Sequence, residues 1–194
     1  SGFAEMLKHA LIASQEEWVN LLQLLQEELP REQLVEALGS TGVLQASIAI
    51  KEKVVAQDPH ETGLRKILNF GHTVGHAIES AALEHNALPH GYCVLWGMVA
   101  EVYLSVVKLG CPREVLQQLT QIMLQYYGRP QCNCKQREQL IQRMYRDKKN
   151  SANQTPNFTL LRAVGEPEIN TYEEFVENLR YLYSINTGIT PAEI

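Results

Sequence analysis

Between Glu61 and Ser80 the chain reads E-T-G-L-R-K-I-L-N-F-G-H-T-V-G-H-A-I-E-S, a run dense in groups that bind anions, metals and protons. If one α-helix starts near Leu64, then Arg65, Asn69, His72 and His76 stand at offsets 0, 4, 7 and 11. At about 100° per residue these four share an arc of roughly 60°. One stripe is then guanidinium, amide and imidazole throughout, while Leu64, Ile67, Leu68, Val74 and Ile78 face a core. A solvated polar face is the competing reading, but such faces are usually Lys and Glu at i,i+4 spacing. Gly71 and Gly75 each cost roughly 1 kcal/mol against Ala inside a helix, which points to close approach by a neighbouring helix or a ligand.

Other parts of the chain supply complementary groups. Glu5 and Lys8, three residues apart, project from one helix face; alone they make only a surface ion pair. Lys51 lies in the apolar stripe of Leu44, Ile48 and Val55, where it either snorkels outward or is held for an anion. His90 opens a long helix as a cap or a ligand, and Lys148 stands near a helix C-terminus, which a cation favours. One carboxylate, Glu5, can thus meet three imidazoles, His72, His76 and His90. Two imidazoles and a carboxylate with an open fourth position form a catalytic zinc pattern. Spacing leaves open which histidines bind, because His72 and His76 at i,i+4 could both ligate. Lys8, Lys51, Arg65 and Lys148 suit carboxylate or phosphate, so the implied substrate is small, anionic and oxygen-rich.

The elements that must position these groups read as mainly α. Helices are predicted over 3–14, 16–28, 31–37, 41–57, 64–80, 90–109, 112–127 and 135–149. A capping box at Thr171-Tyr172-Glu173-Glu174 predicts a last helix over 172–183. Asn157–Val164 is the one convincing strand, and with a partner near 168–170 it makes a small β-hairpin. At 194 residues and 45% hydrophobic content, one domain is expected. A formal net charge of −5 argues against general nucleic-acid or anionic-membrane binding. The apolar run 94–109, interrupted by Glu101 and Lys108, is read as too short and too polar to span a bilayer. Cys93, Cys111, Cys132 and Cys134 form no C-x-x-C pair, which fits a reducing cytoplasm; the i,i+2 pair Cys132 and Cys134 is no zinc knuckle.

Five segments in order resemble the 3-dehydroquinate synthase family of the shikimate pathway. They are G-F-A-E-M-L-K-H-A-L-I from Gly2, I-K-E-K-V-V from Ile50, the Glu61–Glu79 block, P-H-G-Y-C-V-L-W-G-M-V from Pro89, and D-K-K-N from Asp147. Pro89 and Tyr92 depart from the family's usual surroundings, where an acidic residue commonly follows the histidine-glycine pair. The resemblance covers only that family's C-terminal domain, so residues 1–194 are expected to be one helical metal- and substrate-binding fragment. The N-terminal, Rossmann-like NAD-binding domain is missing from it.

The resemblance makes Glu5, His72 and His90 ligands of Zn2+ or Co2+. It gives proton transfer to His76 and Glu61, and substrate contacts to Lys8, Lys51, Arg65, Asn69 and Lys148. It implies conversion of 3-deoxy-arabino-heptulosonate 7-phosphate to 3-dehydroquinate with loss of phosphate, NAD being held mainly by the N-terminal domain. A homodimer is expected for the full-length enzyme, and the fragment alone is expected to be inactive. The alternatives are another sugar phosphate cyclase, of the valiolone or deoxyinosose synthase type, a more distant metal-dependent alcohol or glycerol dehydrogenase, and a non-enzymatic helical interaction domain.

Overall fold

Ser14 ends one helix and starts the next. Helix α1 (Gly2–Ala13) stops where Ser14 becomes extended, and its hydroxyl accepts the Glu17 N–H at 3.2 Å to cap α2 (Gln15–Leu25). The computed structural model describes residues 2–27, 29–83, 87–130, 134–146 and 155–172. Pro30 precedes α3 (Arg31–Ser40), and Gly42, at φ 83°, turns the chain into α4 (Val43–Gln57). A 3-10 helix (Leu64–Asn69) follows, then α5 (His72–Ala82), α6 (His90–Leu109), α7 (Arg113–Tyr126) and α8 (Cys134–Tyr145). Strands β1 (Asn157–Ala163) and β2 (Glu166–Tyr172) close an antiparallel hairpin.

The fold is mainly α with one two-stranded sheet among the described residues, and α6 is its axis. That helix packs against α1, α5, α7 and β1. Val94, Leu95, Met98, Val99 and Val102 are fully buried beside Leu7, Leu11, Phe70 and Leu119. At 20 residues and mean hydropathy 1.5, α6 is long and apolar enough to cross a membrane, longer than the 94–109 run suggested. Its apolar window is nevertheless 67% buried inside the fold, where it serves as core. Cys93 and Cys111 are buried free thiols pushed up to about 11, mainly by burial. Cys132 lies outside the described residues.

The single helix expected over 64–80 is broken. Residues 64–69 wind as 3-10, Gly71 takes φ 79°, and α5 begins at His72. The cause lies in α6. A Cβ on Gly71 would overlap the Met98 side chain, and a Cβ on Gly97 would overlap the Gly71 carbonyl oxygen. Gly75 adds to the seam, since its Cβ would stand 3.0 Å from the Cys93 carbonyl oxygen. The backbones of α5 and α6 therefore touch, as the paired glycines implied, and the approaching body is a helix.

The broken end is capped from a distance. Fully buried Glu101 accepts the Gly71 N–H at 2.6 Å and the Val74 N–H at 3.2 Å, satisfying donors that a helix start leaves open. Ser105 donates to the Glu101 carbonyl at 2.7 Å and accepts the Leu161 N–H at 3.0 Å, which fastens β1 to the same helix. At the hairpin turn the Gly165 N–H reaches the Leu11 carbonyl of α1 at 2.8 Å.

Two other expectations shift. Thr171 and Tyr172 pair in β2 instead of opening a helix, and the remainder of 172–183 lies outside the described residues. The Leu44–Ile48–Val55 stripe is not core. The buried residues of α4 are Ser47 and Val54, and the stripe lines an open cavity of about 660 Å³.

Candidate metal centre and its surround

Three helices deliver the metal-ligating groups. Glu5 comes from the first turn of α1, while His72 and His90 are the first residues of α5 and α6. One ligand atom from each lies within 4.8 Å of the others. The Glu101 cap and the glycine seam fix where α5 starts relative to α6, and so where both imidazoles stand.

The donor chemistry fits a divalent ion. His72 Nδ1 is 3.0 Å from the Phe70 carbonyl oxygen, which can only accept, so Nδ1 carries the proton and Nε2 presents a lone pair. That Nε2 faces Glu5 Oε1 at 3.8 Å, and Oε1 is buried without a hydrogen-bond partner. Two facing lone pairs at that distance are a donor pair suited to a shared cation. Ligand atoms sharing one zinc at tetrahedral angles stand roughly 3.4 Å apart, against 3.8 Å for this pair.

Electrostatics keep the ligands in the forms a metal needs. Burial, and then the nearby Lys8 ammonium, push His72 down to about 3, so its imidazole is neutral at ordinary pH. Burial tends to raise the Glu5 carboxyl, but the Lys8 charge and hydrogen bond, with His72 and His9, outweigh it and hold Glu5 below its usual value. Lys8, only 3% exposed, donates to Glu5 Oε2 at 2.7 Å. Burial lowers its own pKa, against the attraction of Glu5. With Lys8 buried and Glu5 half-buried, this is not the surface ion pair that sequence spacing alone allowed.

His76 sits one turn beyond His72, exposed, with its ring 5.1 Å from His72 and 6.1 Å from His90. With Thr73, Ser80, Arg143 and Arg146 it lines a cavity of about 600 Å³ between α5 and α8. His76, Glu79 and His90 form a second group whose ligand atoms also lie within 4.8 Å, and both Glu79 oxygens are 3.2 Å from His90 Nδ1. The buried, unpartnered Glu5 oxygen favours the Glu5–His72–His90 set as the metal position.

The remaining groups divide. Exposed Lys51 borders the same 660 Å³ cavity as Glu5 and His9. Asn69 Nδ2 donates to Glu61 Oε1 at 2.7 Å, and both line a cavity of about 350 Å³ with Lys66, Thr73, Asn157 and Asn170. The break before α5 takes Arg65 and Asn69 off the imidazole stripe. Arg65 instead donates through Nη1 to the Pro59 carbonyl at 2.8 Å. Asp58 organises this segment, accepting the N–H groups of Thr62, Gly63 and Arg65 at 3.0, 2.8 and 3.0 Å, which hold its carboxyl far below the usual range. Glu61 within it has φ 56°, a left-handed conformation uncommon outside glycine. Lys148 lies outside the described residues.

Comparison with known proteins adds what geometry alone lacks. Residues 2–150 match the model of the family described as 3-dehydroquinate synthase C-terminal. The chain belongs to that family. Curated relatives include the 3-dehydroquinate synthase of Parabacteroides distasonis, 39% identical over 97% of this chain and 52% of the relative. That of Listeria monocytogenes serotype 4b is 34% identical over 87% of this chain and 45% of the relative. The chain thus spans about half the length of these synthases. Among solved structures, a 2-epi-5-epi-valiolone synthase from Streptomyces hygroscopicus, with NAD+ and Zn2+ bound, aligns at TM-score 0.69 and 20% identity, covering 96% of this chain and 50% of that one. A 2-deoxy-scyllo-inosose synthase complexed with carbaglucose-6-phosphate, NAD+ and Co2+ aligns at 0.63 and 20%, covering 96% and 51%. At that identity these two show the shared sugar phosphate cyclase fold.

Several residues that shape this synthase-family site escape sequence reasoning. His9 is 4% exposed, with Nδ1 2.7 Å from Ser47 Oγ and a buried, unpartnered Nε2 3.9 Å from Glu5 Oε2. Burial and then Lys8 push it down to about 4. Its place one turn after Glu5 was the available signal. Glu101 looked like a break in an apolar run, and an acidic residue inside such a run is itself the sign of a buried structural role.

Proposed function

We propose that this chain is the metal- and substrate-binding half of a 3-dehydroquinate synthase, which converts 3-deoxy-arabino-heptulosonate 7-phosphate to 3-dehydroquinate and phosphate. The observation that carries the reading is the buried, partnerless Glu5 oxygen facing the lone pair of His72 Nε2, in a chain of this family. Glu5, His72 and His90 would hold Zn2+ or Co2+, the ions bound by the two cyclases of like fold. When bound, such an ion polarises a substrate oxygen and stabilises negative charge that develops on it.

The chain's own side chains supply the rest. Lys8 keeps Glu5 ionised and, with Lys51, Arg65 and Lys148, grips the carboxylate and phosphate ends of the substrate. Arg65 must release the Pro59 carbonyl to take that part. Asn69, held at its amide nitrogen by Glu61 and lining the same cavity, contacts a substrate hydroxyl. His76, exposed at a cavity rim, moves protons, and Glu61 is a second acceptor. NAD belongs to an N-terminal domain of the full-length cytoplasmic enzyme, which is a homodimer in this reading, and this chain alone is inactive.

The test is product analysis of the full-length protein with NAD and zinc or cobalt, offered each sugar phosphate in turn. Release of phosphate and formation of 3-dehydroquinate from the heptulosonate phosphate is the expected result. Turnover confined to another sugar phosphate would move the assignment to a cyclase of the valiolone or deoxyinosose synthase type. Turnover of none, with no metal bound, would overturn the enzymatic reading.

A further inference from the structure

We infer that Glu79 is a positioning residue for the metal: its carboxylate fixes the proton of His90 on Nδ1, leaving Nε2 for the position shared with Glu5 and His72. This rests on the metal-centre reading above. Glu79 lies seven residues, or two turns, beyond His72 on the same face of α5, so a single helix carries one ligand and the group that aims another.

The contact is close and two-sided, with His90 Nδ1 3.2 Å from each Glu79 oxygen. An ionised carboxylate only accepts, so the proton must sit on Nδ1. His72 shows the same arrangement by other means, its Nδ1 occupied by the Phe70 carbonyl at 3.0 Å. Both imidazoles therefore have Nδ1 engaged and Nε2 available. The two sites differ in how much packing contributes. The His90 side chain is 37% exposed against 13% for His72, and Pro89 offers no side-chain cap at the helix start. Orientation of the outer ring accordingly depends more on its carboxylate. Were Glu79 instead a ligand with His76 and His90, His90 would be drawn from the first set, and the buried Glu5 oxygen would keep its unmet acceptor.

The experiment uses the full-length protein and zinc itself. Zinc affinity and stoichiometry are measured by competition with a chromophoric chelator for wild type, Glu79→Gln, Glu79→Ala and His72→Ala. Histidine ring nitrogens of the metal-free forms are read by nitrogen-15 NMR, with circular dichroism as the check on folding. Glu79→Ala should weaken zinc binding about 10- to 100-fold at unchanged stoichiometry. It should also shift His90 from the Nδ1–H toward the Nε2–H tautomer, a change that mere loss of packing would not produce. Glu79→Gln, which keeps an accepting oxygen without the charge, should fall between, and it carries the test if the alanine variant does not fold. Wild-type affinity with an unchanged His90 tautomer in both variants would overturn the inference. So would a second zinc equivalent lost in Glu79→Gln, since Glu79 would then be a ligand. Wild-type zinc affinity in His72→Ala would instead overturn the underlying metal centre, whatever the Glu79 variants show.

Discussion

The floor and the lip of this site are built by opposite means. The floor is the α5–α6 seam, where glycines bring two backbones into contact and fully buried Glu101 ties off the broken helix end. The lip is the segment 58–69, where Asp58, one strained Glu61 and the Asn69–Glu61 hydrogen bond shape a partly exposed turn. Steric contact and buried hydrogen bonds hold the ligand-bearing helix starts, whereas polar contacts within reach of water hold the proposed substrate groups. Close-packed interiors resist small displacements, while partly exposed networks can open locally at low cost. The candidate ligands His72 and His90 thus sit on the rigid side, and Glu61, Arg65 and Asn69, proposed to face the substrate, on the adjustable one.

Substitutions in the seam should separate the two regions most strongly. Gly97→Ala drives a methyl into the Gly71 carbonyl and should cost about 3 kcal/mol or more in urea unfolding. If stability stays at the wild-type level, the seam is not the rigid element claimed here. Zinc offers the next largest effect. At a hundredfold excess over its Kd, it should add about 2.7 kcal/mol to the folded form, seen as a rise in Tm that His72→Ala abolishes. A variant that keeps the whole rise would move the ion to another ligand set. Glu101→Gln comes third, because an amide presents one accepting oxygen where the carboxylate presents two. It should lose about 2 kcal/mol with one buried N–H left unsatisfied, and the zinc effect should weaken alongside as α5 loosens. Intact zinc binding beside that stability loss would uncouple cap from centre.

The smallest global effect belongs to the lip and depends on pH. Asp58 has a depressed carboxyl in the fold, against an unfolded value of about 3.9. The unfolded chain therefore binds the proton first on acidification. The stability Asp58 contributes is complete above its unfolded value and declines as pH falls below about 4 toward the depressed one. Hydrogen exchange should show the Thr62, Gly63 and Arg65 amides protected at neutral pH and losing protection in acid. Asp58→Asn should lack that acid transition, and α5 should hardly change in either protein. An α5 that opens together with the lip would erase the distinction between the regions.

Local chemistry made much of this molecule readable from its residues. Helical periodicity located nearly every described helix to within a few positions, and the Asn157–Val164 pattern located the hairpin. The types of Glu5, His72, His76 and His90 pointed to a metal centre. These features depend on neighbours in the chain, so one element at a time suffices to infer them. Tertiary structure broke the 64–80 helix at Gly71, buried Lys8, and left the Leu44–Ile48–Val55 stripe beside a cavity. It also brought Glu101 to the start of α5, 27 to 30 residues away in sequence, and Glu79 to His90. Periodicity says which face of a helix a residue occupies and nothing about which other helix crosses that face or how closely. Here the crossing of α5 and α6, whose backbones meet at Gly71, Gly75 and Gly97, set the positions of His72 and His90.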